Sequence, residues 1–298
     1  MKLKYLSMLM LGASLTGLTA CNDFLDKVPE SAVTPDAYFM AEADLAAYSI
    51  NLYNFNTIPT GQYGLSVFAD NNHTDDQVAM NSSTRWVPGQ WLVGSSTSDD
   101  KRGEAWNFFQ IRDCNYFLDQ VLPKYEAGQI TGSEANIRHY IGEVYMLRAY
   151  AYFQKLQDIG DCPIIETALP DVEETLVEAS KRRPRHMVAR FILSDLDKAI
   201  SFLSDKTPGG KNRISKDAAY LLRSRVALYE GTWLKHHDGT AFVPGGPGWP
   251  GSDSEGYNAQ TEISYFLGEA MKSAKVVGDK MVGNLVNNTD TPEGMSPA

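Results

Sequence analysis

Cysteine, basic charge and long apolar runs are all scarce in this sequence. Three cysteines in 298 residues are too few for a disulfide framework, so stability has to come from a hydrophobic core. Lys and Arg number 27 against 37 Asp and Glu. The resulting charge of −10 argues against a nucleic-acid partner, whose phosphates need a basic face. Beyond residue 20 no stretch approaches the roughly 18 uncharged apolar residues of a helical membrane span. The H-E-x-x-H, G-x-S-x-G and P-loop patterns are missing too. Glycosidase-type carboxylate pairs need only proximity in space, and among 37 acids composition cannot test for them. No enzyme activity, catalytic residue or cofactor is expected.

What is present is enough for a large core. Hydrophobic residues make up 43% of the chain and aromatics 11%, which rules out a wholly disordered protein. The length allows two domains but fits one large domain equally well.

The N-terminus reads as an address. Lys2 and Lys4 precede an uncharged apolar run from Leu6 to Leu18, followed by Leu18-Thr19-Ala20-Cys21. Small residues leading into a cysteine resemble a bacterial lipobox; the alternative is an ordinary signal peptide with a chance cysteine. The resemblance implies cleavage after residue 20, lipid on Cys21 and anchorage to a membrane. Losing Lys2 and Lys4 and no acid takes the charge from −10 to −12. Asp23 and Asp26 follow closely and resemble a surface-export signal.

The remainder reads as mainly α. Thr34-Pro35 suits a helix start, with Thr34 as N-cap and Pro35 at the first helical position, and the helix is expected to reach about Phe55. Further helices are expected over about 103–126, 133–158, 185–203 and 261–281, with another capped by Ser215. The 140–156 stretch is apolar nearly all round and predicts burial on most sides. Val188, Ile192, Leu196, Ala199 and Leu203 form one stripe. Ala219, Leu222, Val226, Tyr229 and Trp233 form another, at spacings of three and four. Ala149, Ala151, Ala218 and Ala219 offer places for close helix crossing. Tetratricopeptide-like helix pairs with long aromatic-containing loops are the predicted architecture, without a strict 34-residue consensus. Cys162–Ile165 is the one short strand candidate.

Two segments interrupt the helices. Residues 57–102 are rich in Ser, Asn, Asp and Gly and contain Trp86 and Trp91; residues 239–258 hold six Gly and three Pro. Trp249 and Tyr257 lie in the second. Aromatics are unusual in such polar stretches, and long loops in a compact domain often carry function.

Several motifs in order resemble the SusD/RagB family. They are Cys21-Asn22-Asp23-Phe24-Leu25-Asp26 with Thr34-Pro35-Asp36-Ala37-Tyr38-Phe39, then Gly142 to Phe153 leading into Ile159-Gly160-Asp161-Cys162-Pro163. Asp195-Leu196-Asp197-Lys198-Ala199-Ile200 follows, and then Arg213-Ile214-Ser215-Lys216-Asp217-Ala218-Ala219 with Arg225 to Tyr229. The resemblance implies a lipoprotein on the outer membrane, facing the cell surface, that binds oligosaccharides and closes over a SusC-like TonB-dependent transporter. The RagB branch implies peptides instead, and a helical-repeat scaffold for protein contact is the alternative class. Residues 1–20 are then a lipoprotein signal peptide, and residues 21–298 the N-terminal portion of a SusD-like helical domain, since family members are longer.

Site candidates follow from side-chain chemistry. A sugar ring stacks its apolar face on an aromatic and pairs its hydroxyls with planar polar groups. Trp86 and Trp91, with Arg85, Asn81 and Asp75, supply that mixture; the alternative is that both tryptophans anchor the loop. Asp70-Asn71-Asn72-His73-Thr74-Asp75-Asp76 is oxygen-rich but lacks the EF-hand pattern, so a solvated loop is expected rather than a metal site. His236 and His237 are adjacent on a helix and point about 100° apart, so they suit the helix C-terminus better than a metal. Lys181-Arg182-Arg183-Pro184-Arg185 reads as a solvated basic loop, with contact to an acidic ligand or anionic lipid as the alternative. Cys114 and Cys162 are expected to be free buried thiols, although pairing stays open.

Overall fold

The computed structural model describes residues 38–53 and 106–284, apart from 253 and 255. Among these the structure is mainly α, with seven helices: α1 Glu42–Asn51, α2 Phe109–Glu126, α3 Glu134–Asp158, α4 Glu173–Ala179, α5 Arg185–Phe202, α6 Lys216–His237 and α7 Ala259–Met281. α3 is the axis of the fold. It packs against α1, α2 and α5; α5 packs on α6, and α6 on α7. The result is a succession of tetratricopeptide-like hairpins laid side by side.

The apolar patterns explain this order. In α3, Ile141, Val144, Leu147, Ala149 and Tyr152 are fully buried although they point in different directions around the helix, because neighbours surround it. In α5, Val188, Ile192, Leu196, Ala199 and Leu203 form the expected buried stripe. Close approach needs small residues. A Cβ at Gly142 would stand 2.9 Å from Leu203 Cγ, and one at Gly231 2.9 Å from Leu267 Cδ2, so these two glycines set the α3–α5 and α6–α7 distances.

A set of arginine–carboxylate pairs ties the layers together. Arg148 on α3 forms a two-pronged contact with Asp195 on α5. Arg185 on α5 does the same with Glu230 on α6. Arg190 joins Glu262 on α7, and Arg223 on α6 reaches Asp197 and Glu269. Arg213 holds Glu143 and Ser49. Burying such charges is tolerable only because each is paired. The sequence motifs therefore pair with one another in space: Arg148 and Glu143 of the second motif meet Asp195 of the third and Arg213 of the fourth.

Several expectations are corrected. The expected helix from Thr34-Pro35 to Phe55 is not continuous: α1 runs from Glu42 to Asn51, and Thr34, Pro35 and Phe55 lie outside the described residues. Tyr38–Met40 stands outside it because Phe39, fully buried at φ 62°, anchors the chain among Tyr48, Tyr116 and Phe117. Asp44 accepts the backbone N–H groups of Met40 and Ala41, and Thr131 pairs with Met40 and Glu42 across the strand-like bridge there. α2 begins at Phe109 rather than Gly103, since Asn107 Oδ1 accepts the Phe109 N–H at 2.9 Å. α7 begins two residues early because Asn258 caps it; Ser215 caps α6 as expected. Cys162–Ile165 is no strand: it makes one isolated bridge to Arg183 and is held by the Tyr152 hydroxyl and the Asn115 amide. The basic run is not wholly solvated, because Arg185 is 4% exposed and bound to Glu230. The α6 stripe is displaced: Leu222, Tyr229 and Trp233 are only partly buried, while Arg223 and Glu230 are buried in their salt bridges. Helix α4 had no signal in the sequence.

Candidate functional site

The C-terminal end of α1, the start of α2 and the last third of α3 enclose a half-open cleft of about 360 Å³. Three local features build it. Leu52 closes α1 with its backbone carbonyl turned towards α2, where Gln110 Nε2 donates to it at 3.3 Å. Asn107 Oδ1 accepts the Phe109 N–H at the start of α2, and Phe109 stays 67% exposed. Gln154 and Lys155, one turn before the end of α3, form the opposite wall with Ala151.

The lining has two kinds of group. Asn51, Asn107, Gln110 and Gln154 bring planar amides, and Phe109 brings an exposed ring. Lys155 and Asp113 bring one charge of each sign. Burial lowers the Lys155 pKa from its ordinary value, opposed by the nearby Asp158 carboxylate. Burial raises that of Asp113, opposed by Arg112. A second concavity of about 420 Å³ lies at the α2–α3 turn, but its lining offers two acids, a tyrosine and aliphatic groups rather than converging amides.

Trp86, Trp91, Arg85, Asp75, Asn81, Cys21 and the Asp70–Asp76 cluster all lie outside the described residues. The segment carrying the two tryptophans departs after Tyr53 and returns at Trp106, so both of its roots border the cleft. The aromatics of the 239–258 segment are instead engaged with protein. Trp249 Nε1 donates to Asp161 Oδ2 at 2.9 Å, and the Tyr257 ring lies 4.9 Å from His186. His237 packs on Trp233 at 4.3 Å. Cys114 and Cys162 are free and buried; burial raises both thiols, that of Cys162 to about 12. Sequence reasoning missed Asn51, Asn107, Phe109, Gln110, Gln154 and Lys155. Their only sequence signal is an excess of amides at helix ends, which also serves capping.

A succession of paired helices with a polar, ring-bearing cleft at one end of the central helix defines a helical-repeat fold. The SusD-like family model described as starch-binding and associating with the outer membrane matches residues 23–228, and the chain belongs to that family. It is similar to SusD-like protein P25 of Formosa agariphila, with 26% identity over 72% of this chain and 41% of that protein. It also resembles a SusD-like protein of Bacteroides ovatus, with 24% identity over 76% of this chain and 40% of that one. The chain thus spans less than half the length of these relatives. Among solved structures, a SusD-like protein of Bacteroides fragilis aligns over 70% of this chain and 39% of its own, at 24% identity and a TM-score of 0.45. No described helix is long and apolar enough to cross a membrane.

Proposed function

We propose that this chain is a surface lipoprotein that binds oligosaccharides for uptake through a SusC-like TonB-dependent outer-membrane transporter. Residues 1–20 serve as its signal peptide, Cys21 carries the lipid, and residues 21–298 form the N-terminal portion of a helical domain that faces outward. It presents its ligand without cleaving it. The observation that carries this reading is the cleft at the roots of the 54–105 segment. Its exposed Phe109 ring suits the apolar face of a sugar, and its amides suit vicinal hydroxyls. Trp86 and Trp91, with Arg85, Asn81 and Asp75, extend that chemistry on the segment joined to it. The family's starch-binding description supports the ligand class.

A glycan array probed with the full chain, followed by calorimetric titration, tests the reading. Oligosaccharide binding is expected. Trp86→Ala and Trp91→Ala are each expected to weaken it about thirtyfold without lowering the melting temperature. Folded protein that binds no glycan overturns the function. Mutants that lose stability but keep affinity make the tryptophans loop anchors.

A further inference from the structure

Two amides on the cleft wall have fixed and opposite orientations. A carboxamide carries an acceptor oxygen on one arm and two N–H donors on the other. At Asn107 the oxygen is taken, since Oδ1 accepts the Phe109 N–H at 2.9 Å. Its Nδ2 has no partner among the described residues. At Gln110 the nitrogen is taken, since Nε2 donates to the Leu52 carbonyl at 3.3 Å. Its Oε1 has no partner among the described residues. Reversing Asn107 would set donor against donor, and reversing Gln110 would set oxygen against oxygen, so the backbone partners assign both amides.

The two residues stand three positions apart at the start of α2 and line the same cleft. Phe109 lies between them in the chain, its ring 67% exposed. Gln154, on the opposite wall, is instead hydrogen-bonded to Tyr150. Asn107 and Gln110 therefore bring one donor and one acceptor to the cleft beside an apolar ring. A sugar hydroxyl both donates and accepts, whereas an etherified or esterified oxygen only accepts. The two amides consequently read adjacent oxygens differently: Asn107 Nδ2 suits any sugar oxygen, and Gln110 Oε1 requires an O–H.

We propose that Asn107 and Gln110 set the specificity of the cleft for a sugar with an unsubstituted vicinal diol. One oxygen of the diol accepts from Asn107 Nδ2 and the neighbouring hydroxyl donates to Gln110 Oε1, with the ring against Phe109. A glycan etherified or esterified at the second position is excluded, because two acceptors then face each other without a proton between them. The proposal rests on the cleft being the glycan site.

The test uses the full chain and neutral probes: maltoheptaose, laminarihexaose, xylohexaose and mannohexaose, each beside its O-methylated form, which keeps the oxygens and removes the donors. Calorimetric titration of the tightest-binding pair should favour the unsubstituted form about tenfold or more. Asn107→Ser keeps an oxygen for the Phe109 N–H and removes the amide donor. It should lower affinity about tenfold, leave the melting temperature nearly unchanged and retain the preference for the unsubstituted form. Gln110→Met removes the acceptor at similar volume, so affinity should fall and that preference should shrink to within about twofold. A purely structural role for Asn107 predicts unchanged affinity in Asn107→Ser, and that result overturns the proposal. So does equal binding of the two forms by the wild type, or a preference that survives Gln110→Met, which reports steric exclusion of the methyl groups. If Gln110→Met does not fold, Asn107→Ser decides by the same criterion. Glycan binding that ignores these changes defeats this proposal and leaves the glycan reading standing; no binding to any glycan on a broad array defeats both.

Discussion

Arg148 and Asp195 meet between α3 and α5 through two parallel hydrogen bonds, Nε to Oδ2 at 2.6 Å and Nη2 to Oδ1 at 2.8 Å. Both side chains are almost fully buried, at 3% and 0% exposure. Arg148 Nη1 also donates to Asn115 Oδ1 and to the Glu166 carbonyl. One arginine therefore joins two long helices to α2 and to the loop after α3.

Breaking this pair is expected to be costly. Asp195→Ala leaves a guanidinium buried without its carboxylate, and about 3–5 kcal/mol of stability should be lost. Replacing both residues with apolar ones of similar volume should cost far less. Denaturant melts of the single and double variants measure the difference. A single variant within 1 kcal/mol of wild type would show that the pair is not buried as described.

The helix crossing at Gly142 is equally specific. Gly142→Ala forces a methyl group against the Leu203 backbone nitrogen, 2.9 Å from the ideal Cβ position, and should destabilise by about 1–3 kcal/mol. Leu147→Ala, at a fully buried position one and a half turns further on, should cost about 2–5 kcal/mol by cavity formation. Unchanged melting of both variants would contradict α3 as the central helix.

Acid sensitivity has a definite sign at Glu269. Its carboxyl is held below the usual 4.5 by hydrogen bonds from Lys272 and Arg223, against the opposing effect of burial. In the unfolded chain it takes up a proton nearer 4.5, so its contribution is fully present above that pH and fades as pH falls through the depressed folded value. Glu269→Gln should flatten the loss of stability below pH 4.5, measured by melts across that range. An unchanged acid limb would sink the assignment.

The proposed anchor at Cys21 gives a cellular prediction. Cys21→Ala should shift the protein from the membrane to the soluble fraction, because attached acyl chains supply the membrane affinity. Mass spectrometry of the native protein should find lipid on Cys21 at the mature N-terminus. An unmodified Cys21, or cleavage elsewhere, would refute it.

Phe109 tests the cleft itself. It is largely exposed and contributes little to the core, so Phe109→Ala should leave the melting temperature within about 2 °C of wild type. Oligosaccharide affinity should fall about tenfold. Calorimetry on the folded variant supplies both readings, and undiminished affinity would remove Phe109 from the site.

Much of the helical framework was legible in the sequence. The 134–158 and 185–202 helices lie within a residue of their expected bounds, because apolar periodicity acts over one or two turns; the Ser215 cap of α6 is local in the same way. The expected first helix is interrupted at Tyr38–Met40, where Phe39 is buried in an aromatic cluster, a long-range contact that no local pattern shows. The α6 stripe was misread because Arg223 and Glu230 look like surface residues until their partners on other helices are known.

By itself, then, the sequence determined the helical class, the lengths and buried faces of α3 and α5 and the order of the family motifs, since each depends on interactions among near neighbours in the chain. Only the tertiary structure decided which charges are buried together and where the cleft lies. Arg148 and Asp195 are separated by 47 positions, and the cleft joins α1, α2 and α3 at residues more than 100 positions apart. Such contacts arise from the packing of whole helices, and no local pattern of residue types records them.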